Sequence, residues 1–239
     1  MEIHHIHSLD TDLDQFESIQ LNLSKKVKLE SKVGDQNIKL CAGVDVAYWN
    51  EQGKEWGTCC IVVVDYETME TVEKVIVKEE VKVPYLPGFL AFRELPLVIK
   101  AAEKLSITPD LFMFDGNGYL HPHHMGIATH ASFFLNKPTI GIAKSYFKID
   151  NKDFKMPRNT VGAYEEITHH NEVYGRALRT QTNVKPIFIS CGNYIDLQKA
   201  TEVTMHFINR ESRLPIPVRL ADLETKREKR AALGNESFH

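Results

Sequence analysis

Four acidic residues sit where a folding chain would usually place something else. Asp45 interrupts the apolar run Cys41–Trp49 (CAGVDVAYW), with Val44 and Val46 on the opposite side of an extended segment. Asp115 closes the apolar run LFMF and is followed by Gly116-Asn117-Gly118, while Glu94 shortly precedes Pro96 and Asp222 lies in RLADLE near the C-terminus. A carboxylate on a core strand is costly unless it is paired, hydrogen-bonded or bound to a cation. Carboxylates gathered at one sheet edge repel, and some stay protonated unless a cation neutralises them. An all-oxygen set suits Mg²⁺ or Mn²⁺. Such an ion can activate water and stabilise the leaving oxygen of a phosphodiester. Each acid also has a plainer reading as a cap or turn residue. Asp65 and Asp110 are read that way, and Asp115 within DGNG could be a turn former. Asp45, in mid-strand, fits neither a cap nor a turn.

Two other groups compete for attention. His121, His123, His124 and His130 fall within HPHHMGIATH, and histidines ligate zinc. The spacing from His124 to His130 is not that of HExxH, no carboxylate lies between them, and Cys191 stands alone, so the zinc reading is the weaker. The HHIH at the N-terminus reads as exposed polar surface or a cloning remnant. Pro84-Tyr85-Leu86-Pro87-Gly88 is a loop stiffened by two prolines. Tyr85 on such a tip can stack on a nucleobase, or it can pack down on the core.

These residues need elements to hold them. Asp10–Ser24 places Leu13, Phe16, Ile19/Gln20 and Leu23 at helical spacing behind possible caps in Ser8 and Asp10. Leu40–Tyr48, Thr58–Tyr66 and Val72–Val83 read as three strands joined by turns at Asn50–Gly53 and Glu67–Glu70, an antiparallel meander. Pro96 suits the first turn of a helix that continues through Leu105 and stops at Pro109. Strands at Leu111–Phe114, Thr139–Ala143 and Ile187–Ser190 then alternate with helices at Met125–Leu135 and Asp196–Asn209, and a last helix begins near Asp222. The fold class is therefore α/β: a mixed sheet of a three-strand meander followed by β-α units, with helices on both faces. Ribonuclease H-like nucleases use this order of elements. Asp115 at a strand's carboxyl end is where α/β sheets place ligands.

The 239 residues carry 29 Lys plus Arg against 32 Asp plus Glu, a formal charge of −3, with 43% hydrophobic and 26% charged residues. That mix excludes collagen, a disordered tail and a disulfide scaffold. No repeat or linker appears, so residues 1–239 read as one domain, with 1–35 a helical extension and 225–239 a flexible basic tail. No apolar run approaches a membrane span, and MEIHHIHSLD lacks the layout of a signal peptide. Cys41, Cys59, Cys60 and Cys191 suit buried thiols in a reducing cytosol, and the location expected is cytoplasmic. The net charge argues mildly against nucleic acid, but charge is local. Lys137–Arg158 holds six basic residues against two acids, and Lys226–Arg230 has four basic residues around Glu228.

AGVDVAY (42–48), VPYLPGFLAFRE (83–94), FDGNGYLHP (114–122), MGIATHASF (125–133) and KPTIGIAKS (137–145) resemble, in order, the successive motifs of the endonuclease V family. RALRT (176–180), KPIFISCGNYIDL (185–197) and RLPIPVRLAD (213–222) continue the match, which spans residues 40–224. The resemblance implies a ribonuclease H-like fold, dependence on Mg²⁺ (with Mn²⁺ able to substitute) and cutting of strands near deaminated adenine. It places the metal-binding aspartates on Asp45 and Asp115, a catalytic glutamate on Glu94, the last active-site position on Asp222, and a lysine near the scissile phosphate on Lys144. It matches the wedge that fills the gap left by an extruded base to Pro84, Tyr85, Leu86 and Pro87. It lines the hypoxanthine pocket with Gly88, Leu90 and Gly116, and with His121 and Ile127 nearby.

Two departures from the family pattern stand out. His123-His124 replaces a basic pair beginning with Arg, and neutral His grips phosphate less firmly. Asn193-Tyr194 replaces a frequent His-Arg, so no role is carried to those two positions. The function expected is that of deoxyribonuclease V, a deoxyinosine 3′ endonuclease of DNA repair. It would hydrolyse the second phosphodiester 3′ to the lesion and leave 3′-hydroxyl and 5′-phosphate ends. Its partner would be DNA containing deoxyinosine, with inosine-containing RNA as a rival substrate, and the protein would act as a monomer with no membrane contact. The alternative from another class is a non-catalytic lesion-binding protein, against which the four retained carboxylates argue.

Overall fold

Twelve β-prone residues, Leu40–Glu51 (β1), turn back through Gln52-Gly53 into Lys54–Asp65 (β2). Both turn residues have positive φ, 53° and 78°, the conformation of a tight two-residue hairpin turn, which asparagine and glycine favour. The register pairs Glu51 with Lys54 and Asp45 with Cys60. Thr71–Glu80 (β3) pairs antiparallel with β2 and completes the meander. The computed structural model describes residues 1–32 and 38–234.

Leu111–Asp115 (β4) lies parallel to β1, and Thr139–Ala143 (β5) lies parallel to β4. Tyr164–His169 (β6), Glu172–Leu178 (β7) and Ile187–Asn193 (β8) extend the sheet antiparallel, giving the order β3-β2-β1-β4-β5-β8-β7-β6. The mixed sheet predicted by the sequence is present. The β6–β7 hairpin was not foreseen; its turn, His170-Asn171, again has two residues at positive φ.

Helices cover both faces. An N-terminal 3₁₀ turn at Leu13–Gln15 leads into Phe16–Ser24 (α1), which buries Phe16, Gln20 and Leu23 and leaves Leu13 exposed. No side-chain cap precedes it: Ser8 Oγ instead accepts from the Asp10 amide. Leu90–Glu103 (α2) and Ile127–Leu135 (α3) pack on the face carrying Ala42, Val44, Phe112 and Phe114. Leu197–His206 (α4) and Ile216–Ala232 (α5) pack on the face carrying Cys41, Leu111, Met113 and Ile140. The four cysteines are buried and free. No helix among the described residues is long and apolar enough to cross a membrane.

Three expectations need correcting. The second helix begins at Leu90, not at Pro96, which sits inside it. Proline lacks the amide that would bond Phe92, a loss the buried packing of Leu95, Leu97 and Val98 on the sheet offsets. The last helix begins at Ile216, with Pro217 in its first turn, so Asp222 lies in its second turn. That helix runs to Ala232, so residues 225–232 are helical rather than a flexible tail. Residues 235–239 of the expected tail, and 33–35 of the expected extension, lie outside the described residues.

Candidate active site

Side chains alternate across β1, so Asp45 shares the α5 face with Cys41 while Val44 faces α2 and α3. Asp115 is in phase with Leu111 and Met113 on that same face. α5 crosses it closely because residue 43 is glycine: a Cβ there would lie 2.0 Å from the carbonyl carbon of Pro217. The approach delivers Asp222 to the two strand aspartates. One carboxylate oxygen from each of Asp45, Asp115 and Asp222 lies within 4.8 Å of the others.

These acids are only partly compensated. Lys144, just past the end of β5, donates its ammonium both to Asp115 Oδ2 and to Asp222 Oδ1, the latter at 2.5 Å. Lys226, one helical turn after Asp222, donates to Asp222 Oδ2 at 2.7 Å. Burial pushes Asp222 up, but these two lysines outweigh it and hold its carboxyl below the usual range. Asp45 receives only the hydroxyl of Thr225. Burial first, then the charge of Asp115 and a hydrogen bond shared with it, push Asp45 up to about 8. A buried carboxylate this short of positive charge is what a divalent cation would satisfy, and the donor set is all oxygen. The residues fit a magnesium-type ion.

Glu94 is buried in α2 but does not join the trio. Burial and the charges of Asp45 and Asp115 push its carboxyl well up. The Tyr48 hydroxyl of β1, buried beside it, and the charge of Arg93 oppose that rise. Asp65 is a turn residue as expected, accepting from the amides of Glu67 and Thr68, whereas Asp110 accepts from the amides of Lys39 and Leu40 and so ties the start of β1 to that of β4.

Beside the carboxylates, a cavity of about 90 Å³ is lined by Tyr85, Gly88, Leu90, His121 and Ile127. Ala91, Asn117, Met125, Gly126 and Phe147 complete it, and none of these five was singled out from the sequence. Gly116 does not line this cavity. It belongs to a groove with Asp115, Asn117, Lys144 and Phe147 that lies between the cavity and the carboxylates. A side chain at Gly116 would collide with Ile127 Cγ2 at 2.7 Å. Asn117 Oδ1 is buried with no partner. Tyr85, 64% exposed, stands at the cavity rim on the Pro84–Pro87 loop.

The histidines go to separate partners. His121 accepts at Nδ1 from the amide of His123 and, through Nε2–H, donates to Gly88 O at 2.9 Å. Burial lowers it to about 4, so it is neutral at pH 7 in this tautomer. His123 bonds Gln20 of α1 at 2.8 Å, and Gln20 also donates to Gly88 O at 3.0 Å, so α1 braces the cavity wall. His124 stacks on Tyr119, and His130 pairs with His7 at 2.7 Å. Asn193 is structural: its Oδ1 accepts from the Lys28 and Tyr194 amides. At the carboxylates, Thr225 and Lys226 are the residues to which the sequence reading gave no site role. Their signal was spacing, three and four residues after Asp222 on one helix.

Residues 21–223 match the family model described as Endonuclease V. A protein named Endonuclease V from Bacillus thuringiensis subsp. konkukian is 62% identical over 213 residues, 89% of this chain and 91% of the relative. The crystal structure of an Endonuclease V from Bacillus subtilis superposes with a TM-score of 0.95 at 54% identity, covering 99% of this chain and all of the other. An Endonuclease V from Ciona intestinalis, solved with a 24mer DNA containing an inosine followed by a ribo-adenosine, gives a TM-score of 0.82. Its identity is 28%, with 92% of this chain and 98% of that chain covered.

Proposed function

The chain belongs to the endonuclease V family, and from that premise we propose that it is a metal-dependent endonuclease of DNA repair. It recognises deaminated bases, chiefly deoxyinosine, and hydrolyses the second phosphodiester 3′ to the lesion, leaving 3′-hydroxyl and 5′-phosphate ends. The observation that carries this reading is the convergence of Asp45, Asp115 and Asp222 within 4.8 Å beside a base-sized cavity rimmed by Tyr85. We further take it to act as a single-domain monomer in the cytoplasm.

Asp45, Asp115 and Asp222 would hold Mg²⁺, or Mn²⁺ in its place, which when bound would supply positive charge to the phosphodiester and a water able to attack it. Lys144 keeps its proton despite burial because Asp115 and Asp222 face it, so it remains a cation at the phosphate. Glu94, whose carboxyl burial and the charges of Asp45 and Asp115 push up, is the further acid of the site, reaching it from α2. The extruded base enters the cavity between Leu90 and His121, where Asn117 Oδ1 is a waiting acceptor. Extrusion costs a few kcal/mol, least for a weakly paired base. Tyr85 fills the vacancy in the stack, with Pro84, Leu86 and Pro87 keeping the tip rigid.

A second substrate, inosine in RNA, draws support from the relative solved with a ribonucleotide directly after the inosine. The test is cleavage of matched inosine DNA and inosine RNA oligonucleotides in Mg²⁺, with Asp45→Ala and Asp115→Ala as controls and cut positions mapped. Uncut substrates overturn the proposal. Variants that cut as fast as the parent overturn the site assignment.

A further inference from the structure

Away from the carboxylates, two turns bring three more ligating side chains together. Asp150, His169 and His170 each offer one ligand atom, and these atoms lie within 4.8 Å of one another. We infer that this cluster is a second cation site, one that takes a transition ion such as Zn²⁺ in preference to Mg²⁺.

His169 carries the argument. Its side chain is 7% exposed, Nε2 lies 2.8 Å from Asp150 Oδ2, and Nδ1 is buried with no partner. Outside the cluster, the ring has no hydrogen bond among the described residues. A cation bound at Nε2, the nitrogen that faces Asp150, would leave the ring proton on Nδ1 and set one imidazole and one carboxylate on the same ion. The His170 ring lies 4.0 Å away, centroid to centroid, on the exposed side.

Two imidazoles and a carboxylate form a nitrogen-rich set that suits Zn²⁺, Ni²⁺ or Cu²⁺, whereas Mg²⁺ demands oxygens. Tetrahedral zinc with bonds of about 2.0–2.2 Å needs its ligand atoms about 3.4 Å apart. The Asp150–His169 pair, at 2.8 Å, opens by about 0.6 Å to reach that spacing, and His170 closes from the solvent side while water fills the remaining position. Asp150 lies three residues beyond Phe147 of the base-sized cavity, and the histidines end β6 and form its turn. A bound ion therefore fastens the cavity-lining segment to the edge of the sheet.

The test is calorimetric titration of Zn²⁺ into the full chain in excess Mg²⁺. A His4→Gln/His5→Gln/Asp45→Asn background removes the two adjacent N-terminal histidines and weakens the carboxylate site. One ion should bind per chain, and more weakly in acid, where protons compete with the ion for its ligands. His170→Gln and Asp150→Asn, both at exposed positions, should each weaken binding about tenfold or more. Zn²⁺ that binds both variants as tightly as the background chain overturns the site, as does a background chain that binds none.

Discussion

The Thr225 hydroxyl donates to Asp45 Oδ2, joining two residues 180 positions apart. It is a neutral donor that, together with the charge of Lys144, opposes the push of burial and Asp115 towards the protonated form. Thr225 also donates to the Asp222 carbonyl at 3.1 Å, so the link between β1 and α5 is anchored beside a second acid.

Thr225→Val should therefore raise the apparent pKa of Asp45 further. The acidic limb of the pH–rate profile for Mg²⁺-dependent cleavage should move to higher pH, and Thr225→Ser should restore it. An unmoved limb in the valine variant would show that the hydroxyl does not tune the site.

The Asp45 shift predicts a stability profile. A carboxyl raised to about 8 in the folded state contributes stability below its unfolded value near 4, and that stability is lost as pH rises towards 8. Without divalent cation, Asp45→Asn should raise the melting temperature at pH 8.5, by about 2–4 °C for each kcal/mol recovered, and change it little at pH 5. Mg²⁺ should erase the advantage by stabilising the parent. Differential scanning calorimetry at the two pH values decides this.

Lys144 bridges Asp115 and Asp222. Removing it in Lys144→Ala leaves two partly buried acids facing each other. Cleavage should fall on the order of 10²-fold, as when a preorganised donor to developing charge is lost. The metal-free melting temperature should fall too, with a larger rise on adding Mg²⁺ than in the parent. Equal Mg²⁺-induced shifts in the two proteins would contradict the bridge.

Tyr85 is exposed and its removal should spare the fold. Tyr85→Ala should weaken binding to inosine-containing duplex by about 1–3 kcal/mol, the worth of one base stack, with the melting temperature unchanged. Fluorescence anisotropy with an inosine duplex against an undamaged one reads the difference. Equal affinities in parent and variant would place Tyr85 outside the interface.

Gly43→Ala tests the seating of α5. The added methyl meets the Pro217 backbone, which cannot move aside as a side chain could. A loss of roughly 1–3 kcal/mol by urea denaturation is expected. Cleavage should fall with it, because Asp222, Thr225 and Lys226 ride on the displaced helix.

Much of this arrangement was legible in the sequence. Asp45 stood out because a strand-centre acid has no bland explanation, and the meander was readable from β-branched runs parted by turn residues. What escaped depended on tertiary context. Pro96 looked like a helix start because proline suits the first turn, yet packing on the sheet holds it in mid-helix. The β6–β7 hairpin escaped because YEEITH is too polar to read as a buried strand. Glu94 was grouped with the aspartates by resemblance alone; it comes from α2, close enough for the charges of Asp45 and Asp115 to raise its carboxyl, a meeting only the fold makes. The cavity residues Asn117 and Phe147 carry no local pattern and meet only when β4 and β5 lie side by side.

The close seating of α5 on Gly43 also has a consequence during synthesis. A nascent chain that has reached residue 215 already contains Asp45, Asp115 and Lys144, but not Asp222, Thr225 or Lys226. Until that last helix leaves the ribosome and docks, the third carboxylate is missing. A polypeptide still being translated, or one released early by a premature stop, would lack the three-carboxylate cluster and the core residues Val218 and Ala221 that α5 brings.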